Sequence, residues 1–132
     1  MTLLPVDCYA GGTVLLLYKL LEERTPEQSI SHRNMPTFVE HVQFVRTHPY
    51  KEWYVIKTDR AFVGAIYISR QHEIGLGILC EYQRKGYGRA AVTKLMDLHP
   101  GPFLANINPS NDASIAFWKS LGFTLKQVTY AK

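Results

Sequence analysis

The chain has 132 residues, a length that fits one domain with one hydrophobic core. Hydrophobic residues make up 46% and charged residues 20%, a composition that excludes an intrinsically disordered chain. The net charge of +4 favours anionic ligands but does not by itself indicate nucleic acid. The only tight basic cluster, Arg84, Lys85 and Arg89, lies inside a glycine motif, so we interpret it as a local phosphate site.

The cysteines and the N-terminus indicate the compartment. Cys8 and Cys80 lie in unrelated contexts and form neither a metal-like nor a redox-like pair, so we expect free thiols in a reducing cytoplasm. The apolar run at residues 14–17 is soon interrupted by Lys19 and is too short to span a membrane. The N-terminus has no basic leader and no small-residue cleavage site. We therefore expect a cytoplasmic protein without a membrane partner.

The first third of the chain predicts a strand and two helices. Residues 2–6 read as a short strand, and residues 12–24 carry apolar side chains at helical spacing. The polar residues 25–36 contain two prolines and predict a loop. Thr37 can cap a second helix, with Glu40 three residues later completing a capping box.

The middle of the chain predicts antiparallel strands. Residues 53–57 and 62–69 are rich in β-branched and aromatic side chains, and the three residues between them predict a hairpin. Residues 73–79 form a third run of this kind. Glycines inside these strands indicate bulges or a close approach by another backbone, at Gly64, Gly75 and Gly77.

The last third predicts alternating helices and strands. A helix follows Gly86, residues 103–107 read as a short strand, and residues 111–121 read as a helix that ends at Gly122. Residues 123–130 predict a last strand. The order β-α-α-β-β-β-α-β-α-β predicts an α/β (α+β) fold: one domain, residues 1–132, with a mixed, mostly antiparallel sheet flanked by helices.

The chemistry of the chain centres on a glycine-rich turn between a strand and a helix. Gly86 and Gly88 have no side chains that would block a ligand, so the neighbouring N–H groups can point at an anion. The helix N-terminus and the nearby basic residues add positive charge. The turn predicts a pyrophosphate cradle; the alternative is an ordinary strand-to-helix turn with solvated basic side chains. It matches neither the dinucleotide-binding nor the Walker pattern.

Two motifs carry a resemblance to a known family. Gln83-Arg84-Lys85-Gly86-Tyr87-Gly88 resembles the (Gln/Arg)-x-x-Gly-x-(Gly/Ala) signature of the Gcn5-related N-acetyltransferase (GNAT) superfamily. Downstream, Asn111 followed by a helix and Leu-Gly-Phe123 resembles the second signature of that superfamily. The resemblance implies an acyl-CoA N-acyltransferase that moves an acetyl group from acetyl-CoA to a primary amine.

The resemblance also implies which residues hold acetyl-CoA. The end of the strand would bind the pantetheine arm through its backbone, the cradle the pyrophosphate, and the last helix the rest of the cofactor. For Asn111, a plain helix cap is an equal alternative. The cofactor-binding residues implied are Ile78, Leu79, Cys80, Gln83, Arg84, Lys85, Gly86, Tyr87, Gly88, Arg89, Asn111, Ser114 and Phe117.

The catalytic residues implied are Glu73 and Leu79. Glu73 resembles the position of a glutamate base in some family members; the alternative is an exposed carboxylate at a strand end. The backbone N–H of Leu79 would meet the oxyanion. Many relatives carry a tyrosine acid at the position of Trp118, and an indole N–H is not a useful acid. Tyr82, Tyr87 or a water could replace it, and Trp118 is more simply a core residue.

The acceptor side is the least specified part of the sequence. The segment around Arg33, Asn34 and His41 faintly resembles acetyltransferases that act on nucleotide-linked amino sugars, and the alternative is a polar loop before an amphipathic helix. His41 and His48 lack a carboxylate or cysteine at ligand spacing, so we expect no metal. Relatives often continue into one more strand, and without that strand one edge of the sheet would be open. Because an open edge favours pairing with another chain, we predict a homodimer. Protein or peptide N-acetylation, or a non-catalytic acyl-CoA-binding module, are the alternative functions.

Overall fold

A computed structural model describes residues 1–24 and 34–132 and contains one antiparallel sheet with helices on both faces. The sheet has four strands in the order β1-β2-β3-β4, and each strand pairs with its neighbour in sequence. The elements in chain order are β1 (Thr2–Pro5), α1 (Gly11–Glu22), α2 (Phe38–Thr47), β2 (Glu52–Lys57), β3 (Phe62–Ile68), β4 (Ile74–Ile78), α3 (Tyr87–Leu98) and α4 (Asp112–Ser120). A single 3₁₀ turn, Cys80–Tyr82, links β4 to the glycine-rich turn.

The capping box predicted for α2 is present. The Thr37 hydroxyl accepts a hydrogen bond from the Glu40 backbone N–H at 3.2 Å, and the Glu40 carboxylate accepts one from the Thr37 N–H at 2.9 Å. Two otherwise unpaired donors of the first turn are therefore satisfied by the local sequence. The helix begins at the predicted residue because of this reciprocal pair.

The close backbone approach predicted at the strand glycines is present at Gly64, whereas the neighbours of Gly75 and Gly77 are side chains. A Cβ atom on Gly64 would overlap the carbonyl oxygen of Gly77, and one on Gly75 would overlap the ring of Tyr67. The β2–β3 pairing is irregular between Ile56 and Lys57. Glycine is required at these two β-strand positions because any side chain would occupy space already filled by a neighbouring strand.

The two faces of the sheet pack against different helices. On one face, side chains that include Ile66, Ile68 and Ile74 pack against Ala91, Val92 and Leu95 of α3 and Trp118 of α4. On the other face, Ala65 and Trp53 pack against Val14 and Leu17 of α1 and Val45 of α2. Side chains alternate across a strand, so Leu76 and Ile78 face α3 and α4 whereas Gly75 and Gly77 face α1. None of the described helices is long and apolar enough to cross a membrane.

The fold class is confirmed, but two predicted strands do not form. In the segment at residues 103–107, only Leu104 pairs, in a parallel bridge with Glu73. Its carbonyl accepts from the Ile74 N–H at 2.7 Å, and its N–H donates to the His72 carbonyl at 2.9 Å. Prolines on both sides of the segment remove donors and limit its pairing. Residues 123–130 then have no regular edge strand to pair with, and residues 124–132 are exposed.

Candidate active site

The turn between β4 and α3 carries six consecutive backbone N–H groups without an internal partner. Arg84 has φ 62° and Gly86 has φ 85°, both in the left-handed region, and these conformations fold the chain back on itself before α3. Within the described residues, no backbone or side-chain acceptor bonds the N–H groups of residues 84–89. The first pairing in this helix is Ala90 N–H to the Gly86 carbonyl, at 3.1 Å. An anion is the partner that such an array of donors fits.

The other helices show that this array is specific to α3. The capping box closes the start of α2, and the Asn111 side-chain oxygen accepts from the Ser114 N–H at 3.0 Å to close the start of α4. Helix α1 also lacks a side-chain cap, but the charged residue that precedes it is Asp7, which is an anion. Only α3 combines an uncapped start with flanking basic residues among the described helices.

The polar side chains of the turn fall into two pairs, one without an ion pair and one held by hydrogen bonds. Arg84 and Lys85 are exposed and form no ion pair within the described residues, so both are available to an anion. The Arg89 guanidinium donates to the Ser120 hydroxyl at 2.9 Å, tying α3 to the end of α4. The Gln83 amide donates to the Ile78 carbonyl at 2.9 Å. Arg89 and Gln83 therefore hold the turn in place with their side chains.

The edge of β4 that faces away from β3 is open next to this turn. Strand pairing alternates, and the Ser69 N–H bonds the Glu73 carbonyl at 2.8 Å while the Leu79 N–H bonds the Val63 carbonyl at 2.9 Å. Odd-numbered residues of β4 thus pair with β3. The N–H groups of Leu76 and Ile78 point the other way and have no partner in the described chain.

This geometry corrects the prediction for Leu79. Its N–H is already bonded to the Val63 carbonyl, and its side chain is 4% exposed, packed beside Leu16. It is therefore not a free donor for an oxyanion. Sequence reasoning missed Leu76 because N–H groups alternate between the two edges of a strand, and pairing with β3 decides which of them stay free.

A gap opens between β4 and the chain that follows α3. The two backbones are joined at Leu104, and no further hydrogen bond links them beyond this bridge within the described residues. The gap runs from the Leu104 bridge toward the unpaired amides before α3. Phe117 lies beside the start of α3, where a Cβ on Gly88 would be 3.6 Å from the Phe117 ring. The site therefore consists of an anion cradle joined to a slot lined by backbone donors.

Glu73 lies at the opposite end of β4 from the cradle. Its carboxylate accepts a hydrogen bond from the Ser69 hydroxyl at 3.3 Å, and the residue is half-buried. Six residues of extended chain separate it from Leu79, which corresponds to about 20 Å. One reaction centre cannot include the Glu73 carboxylate and the Leu79 amide. Leu76 is only three residues away, about 10 Å along the strand, which a water can help to bridge.

Comparison with known proteins decides the family. The model of the acetyltransferase (GNAT) family matches residues 16–123 of this chain. The chain belongs to the GNAT acetyltransferase family. No curated protein sequence matches it.

Solved GNAT-type structures share the fold at low sequence identity. An acetyltransferase from Thermus thermophilus is 19% identical with a TM-score of 0.71, over 93% of this chain and 86% of its own. YncA from Salmonella typhimurium, solved with its cofactor acetyl-CoA, is 18% identical with a TM-score of 0.68, over 94% and 79%. An N-acetyltransferase from Staphylococcus aureus is 16% identical with a TM-score of 0.66, over 92% and 82%. At these identities the likeness concerns the fold.

The surroundings of Trp118 and Cys80 in this acetyltransferase indicate structural rather than catalytic roles. Trp118 is 6% exposed and packs edge-to-face against Phe117 and Phe123 in the core beneath α3 and α4. The Cys80 N–H donates to the Glu23 carboxylate at 2.8 Å. Desolvation and then the Glu23 carboxylate raise the pKa of the Cys80 thiol, which disfavours the nucleophilic thiolate.

Of the acceptor residues predicted for this GNAT protein, His41 and Asn34 lie within the described residues. His41 is 3% exposed between α1 and α2, and its Nε2 lies 3.1 Å from the Val14 carbonyl. Burial lowers the pKa of His41, against a smaller opposing effect of that carbonyl. Packing between helices α1 and α2 encloses the ring, and substrate binding by His41 stays a prediction. Asn34 is exposed before α2, and Arg33 lies outside the described residues.

Proposed function

We propose that this protein transfers an acetyl group from acetyl-CoA to a primary amine of a small molecule. The observation that carries the proposal is the array of six unpaired N–H groups at residues 84–89. Free Arg84 and Lys85 flank it, and a Cβ on Gly86 would meet no atom within 4 Å, so the space above the cradle is open. These features fit the pyrophosphate of CoA, a doubly charged anion that backbone donors and cations bind well.

The open edge of β4 supports the second half of the proposal. The N–H groups of Ile78 and Leu76 continue from the cradle along one side of the strand, so they can bind the amide groups of a pantetheine arm. When bound, acetyl-CoA supplies a thioester, whose carbonyl carbon an amine attacks. A backbone N–H of this edge is a donor for the oxygen that gains charge in that attack. Ile78 was expected from the sequence; Leu76 takes the role first given to Leu79.

The remaining requirement is removal of a proton from the amine. We propose that the Glu73 carboxylate does this through a water, since it is the nearest carboxylate to Leu76 along β4. Its bond from Ser69 holds it at the start of the strand, on the same face as Gly75. The acceptor amine would then approach from the α1 side of the sheet, the side that Gly75 and Tyr67 share with Glu73.

Fewer observations bear on the class of the acceptor amine than on the binding of acetyl-CoA. Asn34 remains an exposed polar residue near the start of α2, and the segment around it resembles enzymes that act on nucleotide-linked amino sugars. Amino sugars are therefore the acceptors to test first. A non-catalytic acyl-CoA-binding module is favoured by one observation, the buried Trp118 at the position of the usual tyrosine acid.

The test is acetyl-CoA turnover, followed as release of free thiol, against a panel of amino sugars, their nucleotide conjugates, other primary amines and short peptides. Turnover with amino sugars or other small amines supports the proposal. Turnover with peptides alone would assign a peptide N-acetyltransferase instead. Tight acetyl-CoA binding without thiol release for any acceptor would favour the binding module.

We also propose that two copies of the chain associate. The segment that follows α4 carries exposed apolar side chains, with Leu125 82% and Tyr130 93% exposed. A second chain could cover them by strand pairing, since unpaired extended segments favour such contacts. Light scattering coupled to gel filtration should give the mass of a dimer, and a chain ending at Thr124 should give that of a monomer. A monomeric full-length protein would contradict this proposal.

A further inference from the structure

Tyr67 of β3 places its hydroxyl over the backbone of β4. Tyr67 and Gly75 are direct partners in the β3–β4 register. A Cβ atom on Gly75 would overlap three atoms of Tyr67, its Cζ, its Cε2 and its hydroxyl oxygen. The phenol therefore lies across the strand immediately before Leu76, whose N–H faces the open gap. Gly75 is needed here because it leaves space for this ring.

The ring is held by other aromatic side chains. Tyr50 stacks on Tyr67 with ring centroids 3.7 Å apart and planes within 8°, and Trp53 packs edge-on against Tyr50 at 4.8 Å. Such contacts limit rotation of the phenol about its side-chain bonds. A fixed ring gives the hydroxyl a defined position relative to β4.

The Tyr67 hydroxyl has no hydrogen-bond partner within the described residues, although the residue is half-buried. Two other half-buried tyrosines differ in this respect. The Tyr18 hydroxyl donates to the Pro36 carbonyl at 3.0 Å, and the Tyr54 hydroxyl lies 2.7 Å from the His99 ring. A phenol held in place with its hydroxyl unbonded is free to exchange a proton with a ligand.

The position of Tyr67 suits it to the step for which Trp118 is unsuited. Tyr82 and Tyr87 lie 6.5 Å apart at the cradle, which is the phosphate end of the site. Tyr67 lies toward the opposite end of β4, on the same face of the sheet as Glu73. It is therefore the tyrosine near the end of the strand where the acyl group would react.

We propose that Tyr67 is the proton donor of the acetyl transfer, an inference that rests on the proposed function. The amine nitrogen forms a bond to the thioester carbonyl carbon, and the carbon–sulfur bond breaks with its electron pair on sulfur. The Tyr67 O–H gives its proton to that sulfur, which leaves as the CoA thiol. The amine releases its own proton to Glu73 through a water. That proton is then passed to the Tyr67 phenolate, so the site regains its starting protonation state.

The test compares Tyr67→Phe with Tyr50→Phe. Both variants keep two stacked aromatic rings and each removes one hydroxyl, so they separate proton transfer from packing. We expect Tyr67→Phe to lower kcat by about 100-fold or more, the range for loss of a general acid, with little change in KM. Tyr50→Phe should keep the wild-type rate.

A second readout does not depend on turnover. Acetyl-CoA binding should perturb the tyrosine ultraviolet spectrum of the wild type, and the Tyr67→Phe variant should lose most of this difference while its calorimetric affinity stays within about 2-fold. If the wild type acetylates an amine and Tyr67→Phe has the same kcat and the same pH profile, the role of Tyr67 is overturned while the proposed function stands. An equal loss in both variants would assign the effect to the stack and overturn it too. A wild-type protein that turns over no amine would refute the proposed function itself.

Discussion

Replacing Gly86 by glutamate places a carboxylate among the six unpaired N–H groups of the cradle. The variant should bind CoA more weakly because the new charge repels the pyrophosphate. Two unit charges about 4 Å apart interact by about 1 kcal/mol in water and about 4 kcal/mol near a protein surface of lower dielectric. Since Gly86 is exposed, the loss should lie between these limits, or about 5-fold to 1,000-fold in Kd. Isothermal titration calorimetry with CoA measures it directly.

A matched control separates charge from backbone strain. Gly86 has φ 85° and Gly122 has φ 91°, and a Cβ at either position would meet no atom within 4 Å. Gly86→Glu and Gly122→Glu should therefore lower the free energy of unfolding by similar amounts, about 1–2 kcal/mol for a side chain on a left-handed residue. Only Gly86→Glu should lose CoA affinity, and Gly86→Gln should lose less of it. Unchanged CoA affinity in a folded Gly86→Glu variant would refute the phosphate-site interpretation.

Three further predictions concern His41, Trp118 and Glu73. Because burial lowers the folded-state pKa of His41, the unfolded chain takes up the proton first on acidification, so the unfolding free energy should fall below pH 6.5 by at most about 1.4 kcal/mol per pH unit. Denaturant unfolding at several pH values should show this loss in the wild type and in His48→Asn but not in His41→Asn; an equal slope in all three would contradict it. Trp118→Ala should cost about 3–5 kcal/mol of stability in the same assay, and a negligible cost would show that Trp118 is not a core residue. Glu73→Gln should lower turnover far more than acetyl-CoA affinity, with the smallest loss at high pH, where the amine loses its proton unaided; equal activity at every pH would remove Glu73 as the base.

The sequence predicted the parts of the site that depend on local chemistry. The capping box of α2 and the glycine turn before α3 are specified by residues a few positions apart, so pattern and residue type predict them. The glycines of β4 indicated bulges or a close backbone, and the neighbour found at Gly75 is the ring of Tyr67. These features require no knowledge of how distant segments pack.

The parts that failed depend on pairing between distant segments. Which edge of β4 meets β3 decides whether the Leu79 or the Leu76 N–H is free, and no local pattern shows this. His41 occupies a polar-looking stretch, yet its burial follows from the packing of α1 on α2. The strand predicted at residues 103–107 has suitable composition, but only Leu104 reaches the sheet edge. The open gap beside β4 is a consequence of that limited pairing.

The unpaired backbone donors of this chain are proposed to bind acetyl-CoA. An NMR titration of ¹⁵N-labelled protein with CoA tests it most directly, because each backbone N–H reports separately. We expect the largest shifts at residues 84–89 and at Leu76 and Ile78, with small shifts at the capped first turns of α2 and α4. Saturable binding with shifts elsewhere, or no binding at millimolar CoA, would contradict it.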